Sequence, residues 1–216
     1  GYDASDMGRL LVALKVIETY SAGAIDAATA VAGWDLVKTI INGRIHSFKD
    51  GKMIDIHHTA YANYVARGFS MWGFAIAPPF SVPVERGSVD ELLNVLEAFA
   101  RAEPVGAEPH VLEEVELGHS HISRLISDIL YQAQIEKHRA TGQFVCVSEG
   151  PLDRDPWFTY QGYKILSESD PWIIETIVDS PRYETEGFRR ANEIVSTKSA
   201  FMWAGVRPQD YSRNLL

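Results

Sequence analysis

Apolar positions recur every three to four residues along much of the chain, which is the spacing of one face of an α-helix. The pattern predicts helices over residues 3–20, 25–43, 58–76, 88–101, 120–142 and 196–206. In the first helix, Leu10, Leu14 and Ile17 form the apolar side. The second helix has Asp26 at its start and Gly43 as its predicted stop, because aspartate favours the N-cap and glycine the C-terminal end.

The remaining segments follow other patterns. Residues 44–58 alternate between apolar and polar positions around "KDGK", which predicts a short β-hairpin. Residues 143–147 and 160–166 are predicted as strands, and residues 103–118 as an acidic linker with a brief extended stretch. Residues 170–194 receive no assignment. The pattern therefore predicts one mainly α domain over residues 1–216, a layered helical array with short β-hairpins in the connecting loops.

Composition and charge narrow the range of partners. The chain has 216 residues and a net charge of −9. Residues 1–100 carry 8 basic and 11 acidic groups and the rest carry 12 and 18, so both halves are acidic. This distribution argues against nucleic acid or an anionic membrane surface as a partner. No apolar run approaches the roughly 20 residues of a transmembrane helix, so no membrane span is expected.

The start of the chain and its one cysteine carry further expectations. The chain begins at Gly1 without an initiator methionine, which suggests a mature or cleaved piece of a longer protein. Cys146 lies in the apolar run "FVCVS" and is expected to be a buried small hydrophobic residue. A single thiol cannot form an internal disulfide.

One polar loop has the composition of a saccharide site. The stretch "VSEGPLDRDPWFTYQG" combines three carboxylates with three aromatic rings: Glu149, Asp153, Asp155, Trp157, Phe158 and Tyr160. Aromatic faces bind the apolar faces of sugar rings, while carboxylates bind the hydroxyls, and burial beside aromatics keeps a carboxyl protonated. The alternative is an ordinary loop whose acids cap turns and pair with Arg154.

Glycoside hydrolysis needs a second carboxylate opposite the first. Asp6 at the start of the first helix is one candidate, although it could equally be an N-cap. Glu113, with its neighbours Glu108 and Glu114, is another, although this segment could be a solvated acidic linker.

Two further side chains are candidates for contact with substrate. Tyr64 shares an aromatic helix face that could orient a sugar, with core packing as the alternative. Lys198 lies near a helix start, where a cation opposes the helix dipole; the alternative is a surface lysine.

Several other chemistries lack their sequence signatures. No phosphate-binding glycine loop, dinucleotide fingerprint or Gly-x-Ser-x-Gly motif is present, so no cofactor is expected. Asp55, His57 and His58 lie together, but no zinc-binding spacing accompanies them. We therefore predict no metal site, and interpret the histidines as a helix cap or a hydroxyl partner.

Five blocks of the sequence occur in an order that resembles a known family: "DMGRLLVAL", "ANYVARGFSMWGF", "EPHVLEEVELG", "VSEGPLDRDPWFTYQ" and "VSTKSAFMWAGVRPQDYS". They resemble a family of uncharacterised bacterial envelope proteins that is similar to glucoamylase-like α/α-toroid glycoside hydrolases. The resemblance implies a partial α/α-toroid. A full toroid needs about twelve helices, whereas a chain of this length supplies about six to eight. A missing segment or another chain is therefore expected to complete the ring.

Two functional hypotheses follow. In the first, the chain is a carbohydrate-active domain that binds a glucan or exopolysaccharide and could hydrolyse or transfer it. Glu149 would be the general acid, and Asp6 or Glu113 the opposing carboxylate. Contacts with substrate would come from these residues: Tyr64, Asp153, Asp155, Trp157, Tyr160 and Lys198. In the second, the chain is a non-catalytic envelope or assembly subunit that uses the scaffold for protein contacts. Both imply a periplasmic or extracellular location.

Overall fold

The computed structural model is mainly helical, with short antiparallel strands between the helices. It describes residues 1–21, 24–57, 61–79, 106–118, 120–142, 146, 149–151, 158–164, 173–176 and 197–211. The chain divides into two compact units, Gly1–Ser81 and Val82–Leu216. The prediction of a single domain over 1–216 stays a prediction. So does the prediction of a helix over 88–101, which lies outside the described residues.

The first unit contains three α-helices, one 3₁₀ turn and three strands within its described residues. In chain order they are α1 (Ala4–Tyr20), α2 (Ala27–Gly33), the 3₁₀ turn (Leu36–Thr39), β1 (Ile40–Ile41), β2 (Arg44–Lys49), β3 (Lys52–Asp55) and α3 (Ala62–Ser70). Asp3 caps α1, because its side chain accepts the backbone N–H groups of Ser5 and Asp6. Asp26 caps α2 in the same way, as its position predicted.

The three strands form an antiparallel sheet in the order β1-β2-β3. Asn42-Gly43 and Asp50-Gly51 form the two connecting turns, and all four residues have positive φ, which two-residue hairpins of this kind require. The predicted hairpin is confirmed. The prediction that the second helix runs to Gly43 is wrong, because the Asn-Gly pair turns the chain into β2 and the helix ends at Gly33.

Helix α1 packs closely against α3 at two glycines. A Cβ atom on Gly68 would lie 2.6 Å from the carbonyl oxygen of Gly8, and one on Gly8 would lie 2.9 Å from Val65 Cα. The backbones therefore approach too closely for any side chain at these positions. Around this contact lies the core of the unit, which includes Ala4, Leu11, Val31, Leu36, Ile45, Ile56, Val65, Ala66 and Phe69.

The second unit contains four α-helices and three strands within its described residues. They are α4 (Glu108–Leu117), α5 (His121–Thr141), β4 (Glu149–Pro151), β5 (Phe158–Lys164), β6 (Ile173–Thr176), α6 (Thr197–Val206) and α7 (Pro208–Tyr211). The strands form an antiparallel sheet in the order β4-β5-β6. Helix α4 packs against both α5 and α6. The predictions of helices over residues 120–142 and 196–206 are confirmed by α5 and α6, and Gly142 is the C-cap of α5.

The prediction of an acidic linker over residues 103–118 is wrong. Residues 108–117 form helix α4, with Pro109 in its first turn and Gly118 at its C-cap. Proline fits the first turn of a helix, where the missing N–H would have no partner in any case. The high acid content had suggested solvent exposure, yet the first six residues of this helix are buried.

Candidate functional site

The first half of helix α4 is enclosed on all sides. Its six residues from Glu108 to Glu113 are all buried, and three of them are polar: Glu108, His110 and Glu113. A buried carboxylate costs several kcal/mol in a real protein unless it is paired and hydrogen-bonded. The partners of these side chains therefore determine what the cluster can do. We call Glu108, His110 and Glu113 the α4 polar cluster.

Glu108 forms an ion pair with a lysine from α6. Lys198 Nζ lies 2.9 Å from Glu108 Oε2, and the two side chains are 40% and 4% exposed. Both residues occupy the first turn of their helices. The lysine alone would be disfavoured there by the helix dipole, so the buried carboxylate supplies the compensating charge. This contact accounts for the unusual position of Lys198 in the sequence.

Glu113 is bound to the start of α5. The hydroxyl of Ser120, the N-cap residue of α5, donates to Glu113 Oε1 at 2.9 Å. The Ser120 oxygen accepts the backbone N–H of Ser123 at 3.0 Å, which completes one half of a capping box. Glu113 is 1% exposed and lies beside the N-terminus of α5, the positive end of that helix dipole. On the adjacent face, Glu114 accepts from the Ser127 hydroxyl at 3.0 Å.

His110 differs from the two glutamates. It is 2% exposed, and its Nδ1 atom has no hydrogen-bond partner among the described residues. Burial lowers the pKa of His110 to about 4, so the imidazole is neutral at pH 7. Its position one helical turn before Glu113 and Glu114 places it next to that carboxylate pair on the surface of α4.

A second buried contact adjoins Lys198 in the sequence. Cys146 Sγ donates to Ser199 Oγ at 3.3 Å, and both side chains are fully buried. The expectation of a buried cysteine is confirmed. Further along α6, the Trp203 and Tyr131 rings lie 5.8 Å apart, and Arg207 stacks on Tyr131 while pairing with Asp128. Helix α6 therefore makes contacts at both of its ends, through Lys198 and Ser199 in its first turn and through Trp203 and Arg207 near its C-terminus.

The α4 polar cluster combines two carboxylates in different environments with a neutral imidazole. One carboxylate faces a lysine and the other a serine hydroxyl at a helix start. Within the described residues, no three side chains of His, Cys, Asp or Glu come together as a metal ion would require.

The predicted site residues fall in several places. Glu149 lies in β4, where its Cα is paired with that of Tyr160 in β5, so the fold brings together two residues of the proposed saccharide loop. Asp153, Asp155 and Trp157 lie outside the described residues. Lys198 contacts Glu108 of α4, and Glu113, which is itself in α4, contacts Ser120 at the start of α5.

The other two predicted residues belong to the first unit. Asp6 is exposed in the first turn of α1, next to the N-cap Asp3. Tyr64 is 2% exposed, which agrees with the packing alternative given for it above. The predicted pair Asp6 and Glu149 is therefore divided between the two units.

His57 has a structural role in the first unit. Its Nδ1 accepts the backbone N–H of Ile45 at 3.1 Å, and Nε2 lies 3.0 Å from the carbonyl oxygen of Ala77, to which it donates. Because Nδ1 is an acceptor, its 4.0 Å separation from Asp55 Oδ1 is no ion pair. Burial raises the pKa of Asp55, but the His57 backbone N–H and the Arg44 guanidinium outweigh it, so the pKa lies below 3.8. His58 lies outside the described residues.

Sequence reasoning named Glu108 only as an alternative and did not notice His110 or Ser120. A signal for Glu108 was present, because Pro109 and the later Gly118 mark the two ends of a short helix. No sequence signal distinguishes the buried histidine from an exposed one, since its burial depends on neighbours that are distant in the chain.

Fold and site together define a mainly helical protein with buried acidic groups at the contacts of α4 with α5 and α6. The chain belongs to the family described as a protein of unknown function (DUF3131), whose model matches residues 1–216. No curated protein and no solved structure matches the chain. Among the described residues, no helix combines the length and apolar character needed to cross a membrane.

Proposed function

We propose that this chain is a carbohydrate-active domain of the α/α-toroid kind, which binds a bacterial glucan or exopolysaccharide and hydrolyses or transfers it through paired carboxylates. The observation that supports the proposal most strongly is the burial of Glu108 and Glu113 within the enclosed half of α4. Hydrophobic residues of similar size would stabilise such a position at least as well. Retention of two acids there is more simply explained by a chemical role than by stability.

The roles follow from the environment of each group. Glu149 is the proposed general acid and Glu113 the opposing carboxylate, which accepts the Ser120 hydroxyl at the start of α5. Lys198 Nζ lies 2.9 Å from Glu108 Oε2, and the lysine side chain, which is 40% exposed, keeps an ammonium group within reach of a hydroxyl-rich ligand. Tyr160, paired with Glu149 in the sheet register, would contact the sugar.

The toroid part of the proposal has its own support. Helices α4 and α5 pack together and are joined by residues 118–120, which makes them an αα-hairpin, the unit from which helical toroids are built. A further segment or another chain would complete the ring. The acidic surface, with a net charge of −9, suits a neutral polysaccharide, and we place the protein in the cell envelope, either periplasmic or extracellular.

The test combines a binding screen with a turnover assay. The 216-residue chain is first applied to an array of α- and β-glucans and bacterial exopolysaccharides, and the bound glycans are then assayed for new reducing ends. Glu149→Gln and Glu113→Gln should each reduce turnover by about 100-fold or more, since a positioned acid or base contributes roughly 10²–10⁴ in rate. Binding should change far less.

Glu116 provides the matched control. It is exposed on the same helix, so Glu116→Gln should leave turnover within about twofold of the wild type. Loss of turnover in Glu116→Gln as well as in Glu113→Gln would indicate damage to α4 rather than a chemical role of Glu113. A chain that binds none of the glycans, or whose turnover survives both Glu149→Gln and Glu113→Gln, would exclude the proposal.

A second candidate function is a non-catalytic assembly subunit that uses the scaffold for protein contacts. It is favoured by a separate observation, the large apolar side chains exposed along α1: Leu10, Val16, Ile17 and Tyr20. Binding of a protein partner by this surface, without any glycan binding, would support this function over the first.

A further inference from the structure

The hydroxyl of Ser120 has two acceptors within reach. Glu113 Oε1 and Ser123 Oγ each lie 2.9 Å from Ser120 Oγ, and the hydroxyl carries a single proton. The two serines also exchange backbone contacts at the start of α5. Ser120 Oγ accepts the Ser123 backbone N–H at 3.0 Å, and Ser123 Oγ accepts the Ser120 backbone N–H at 3.1 Å. The Ser123 hydroxyl lies 3.2 Å from the Ser120 carbonyl oxygen, to which it can donate.

These contacts decide where the Ser120 proton points. When Ser120 donates to Glu113 and Ser123 donates to the Ser120 carbonyl, both hydroxyls donate one bond and accept another. When Ser120 donates to Ser123 instead, Glu113 loses this donor although it is only 1% exposed. A buried carboxyl oxygen that loses a donor is costly, so the first arrangement is favoured. The Ser120 proton therefore points at Glu113.

The start of α5 fixes the direction of this hydroxyl. Because the Ser120 oxygen also caps α5, the side chain cannot turn away from Glu113 without uncapping a helix of 21 residues. The end of α4 contributes as well. Gly118 has φ 73 and ψ 167, a conformation that is open almost only to glycine, and it returns the chain to α4. Ser120 thus meets Glu113 after only seven residues.

We infer that Ser120 is a positioning residue for Glu113, and that its hydroxyl, oriented by the start of α5, sets the direction in which the Glu113 carboxylate is held. The inference rests on the function proposed above, in which Glu113 is the carboxylate opposite Glu149. A catalytic carboxylate is effective only when it is held within about 0.5 Å of its productive position. In this role Ser120 acts through Glu113 and has no contact with the substrate.

The same two helices supply a matched control. Two helical turns along α5, Ser127 Oγ lies 3.0 Å from Glu114 Oε2 and 2.6 Å from the Ser123 carbonyl oxygen, and Ser127 is 1% exposed. Ser120→Gly and Ser127→Ala each remove a serine hydroxyl that contacts a glutamate of α4, but only the first hydroxyl contacts Glu113. Glycine is accepted at an N-cap almost as well as serine, so α5 should begin at the same residue in Ser120→Gly.

The first measurement needs no substrate. The carbon resonance of the Glu113 side-chain carboxyl is assigned by NMR in the 216-residue chain, through its loss in Glu113→Gln. It should move in Ser120→Gly and stay in place in Ser127→Ala. In Ser120→Thr, which keeps the hydroxyl and the cap, it should lie near its wild-type position. A resonance that does not move in Ser120→Gly, or that moves equally in Ser127→Ala, would overturn the inference.

The second measurement is the turnover of a glycan found by the screen described above. Ser120→Gly should lower kcat by about 10- to 100-fold and leave KM within about twofold, because it misplaces a carboxylate without altering the binding surface. Ser127→Ala should keep kcat within about twofold of the wild type, and Ser120→Thr should recover most of the loss.

The two proposals fail in different ways. Turnover that is abolished by Glu113→Gln but unchanged in Ser120→Gly would overturn the role of Ser120 and leave the proposed function in place. Absence of turnover in the wild type would exclude the proposed function instead. The Glu113 carboxyl resonance would then decide by itself whether Ser120 orients that side chain.

Discussion

Lys198 Nζ lies 2.9 Å from Glu108 Oε2, and the two residues stand in the first turns of helices that are distant in the sequence. The contact joins α6 to α4 at the α4 polar cluster. Because one member is almost fully buried and the other is two-fifths exposed, the two ends of the pair should respond differently to mutation.

Lys198→Met should destabilise the protein by about 1–3 kcal/mol, because it leaves the Glu108 charge buried without its main counter-charge. This is below the usual cost of breaking a fully buried pair, since Lys198 is partly solvated. Glu108→Gln should cost less, because the lysine can turn to water. Urea unfolding followed by circular dichroism measures both. The exposed pair of Lys38 with Asp35 provides the control, and Lys38→Met should leave the free energy of unfolding nearly unchanged. Equal costs at Lys198 and Lys38 would contradict the structure.

His110 should make the stability of the protein depend on pH. Its pKa is about 4 in the folded state and close to 6.5 when unfolded, so between these values the unfolded chain binds a proton that the folded chain does not. The contribution is fully present above pH 6.5 and is lost as the pH falls towards 4. From pH 7 to pH 5 this loss amounts to roughly 2 kcal/mol.

The variant His110→Phe removes the titrating group and isolates this effect. The difference in unfolding free energy between pH 7 and pH 5 should shrink by about the same 2 kcal/mol relative to the wild type. The contributions of other titrating groups cancel in the comparison. An unchanged pH dependence would show that His110 is solvated in the native protein.

Gly68 should not tolerate a side chain. The added Cβ of Gly68→Ala would lie 2.6 Å from the Gly8 carbonyl oxygen, which belongs to backbone and cannot move aside. We expect a loss of about 1–3 kcal/mol, measured as thermal and urea unfolding of the variant. Gly33 is the matched control, because it lies in α2 and no atom in the described part of the chain lies within 4 Å of an added Cβ. Gly33→Ala should be neutral or stabilising. A stable Gly68→Ala variant would mean that α1 and α3 are further apart.

His57 should be needed for the fold of the first unit. His57→Ala leaves two groups without partners, the Ile45 N–H and the Ala77 carbonyl, and each such loss costs about 1–3 kcal/mol when buried. His46→Ala is the comparison, since His46 is only partly buried and contacts the Arg44 carbonyl at 2.9 Å. Hydrogen exchange of the Ile45 amide by NMR would report the lost contact directly. Protection that is unchanged in His57→Ala would contradict the role given to the imidazole.

Local signals in the sequence predicted several elements because their causes are local. Asp3 and Asp26 begin helices, Gly142 ends one, and Asp50-Gly51 turns a hairpin, each through its own backbone or side-chain geometry. Asn42-Gly43 is also a typical hairpin-turn pair, but Gly43 was interpreted as the C-terminal end of the second helix, which was therefore predicted to be too long. Helix α4 was missed because its acid content was taken as a sign of solvent exposure.

The sequence by itself determined the mainly helical class, the main caps and the hairpin turn at Asp50-Gly51, since these depend on residues within a few positions of each other. It also supplied the candidate acids. Only the tertiary structure decided which acids are enclosed and which apolar side chains of α1 are buried. Burial depends on elements that are distant in the chain, as when Lys198 of α6 meets Glu108 of α4, and no local pattern contains that information.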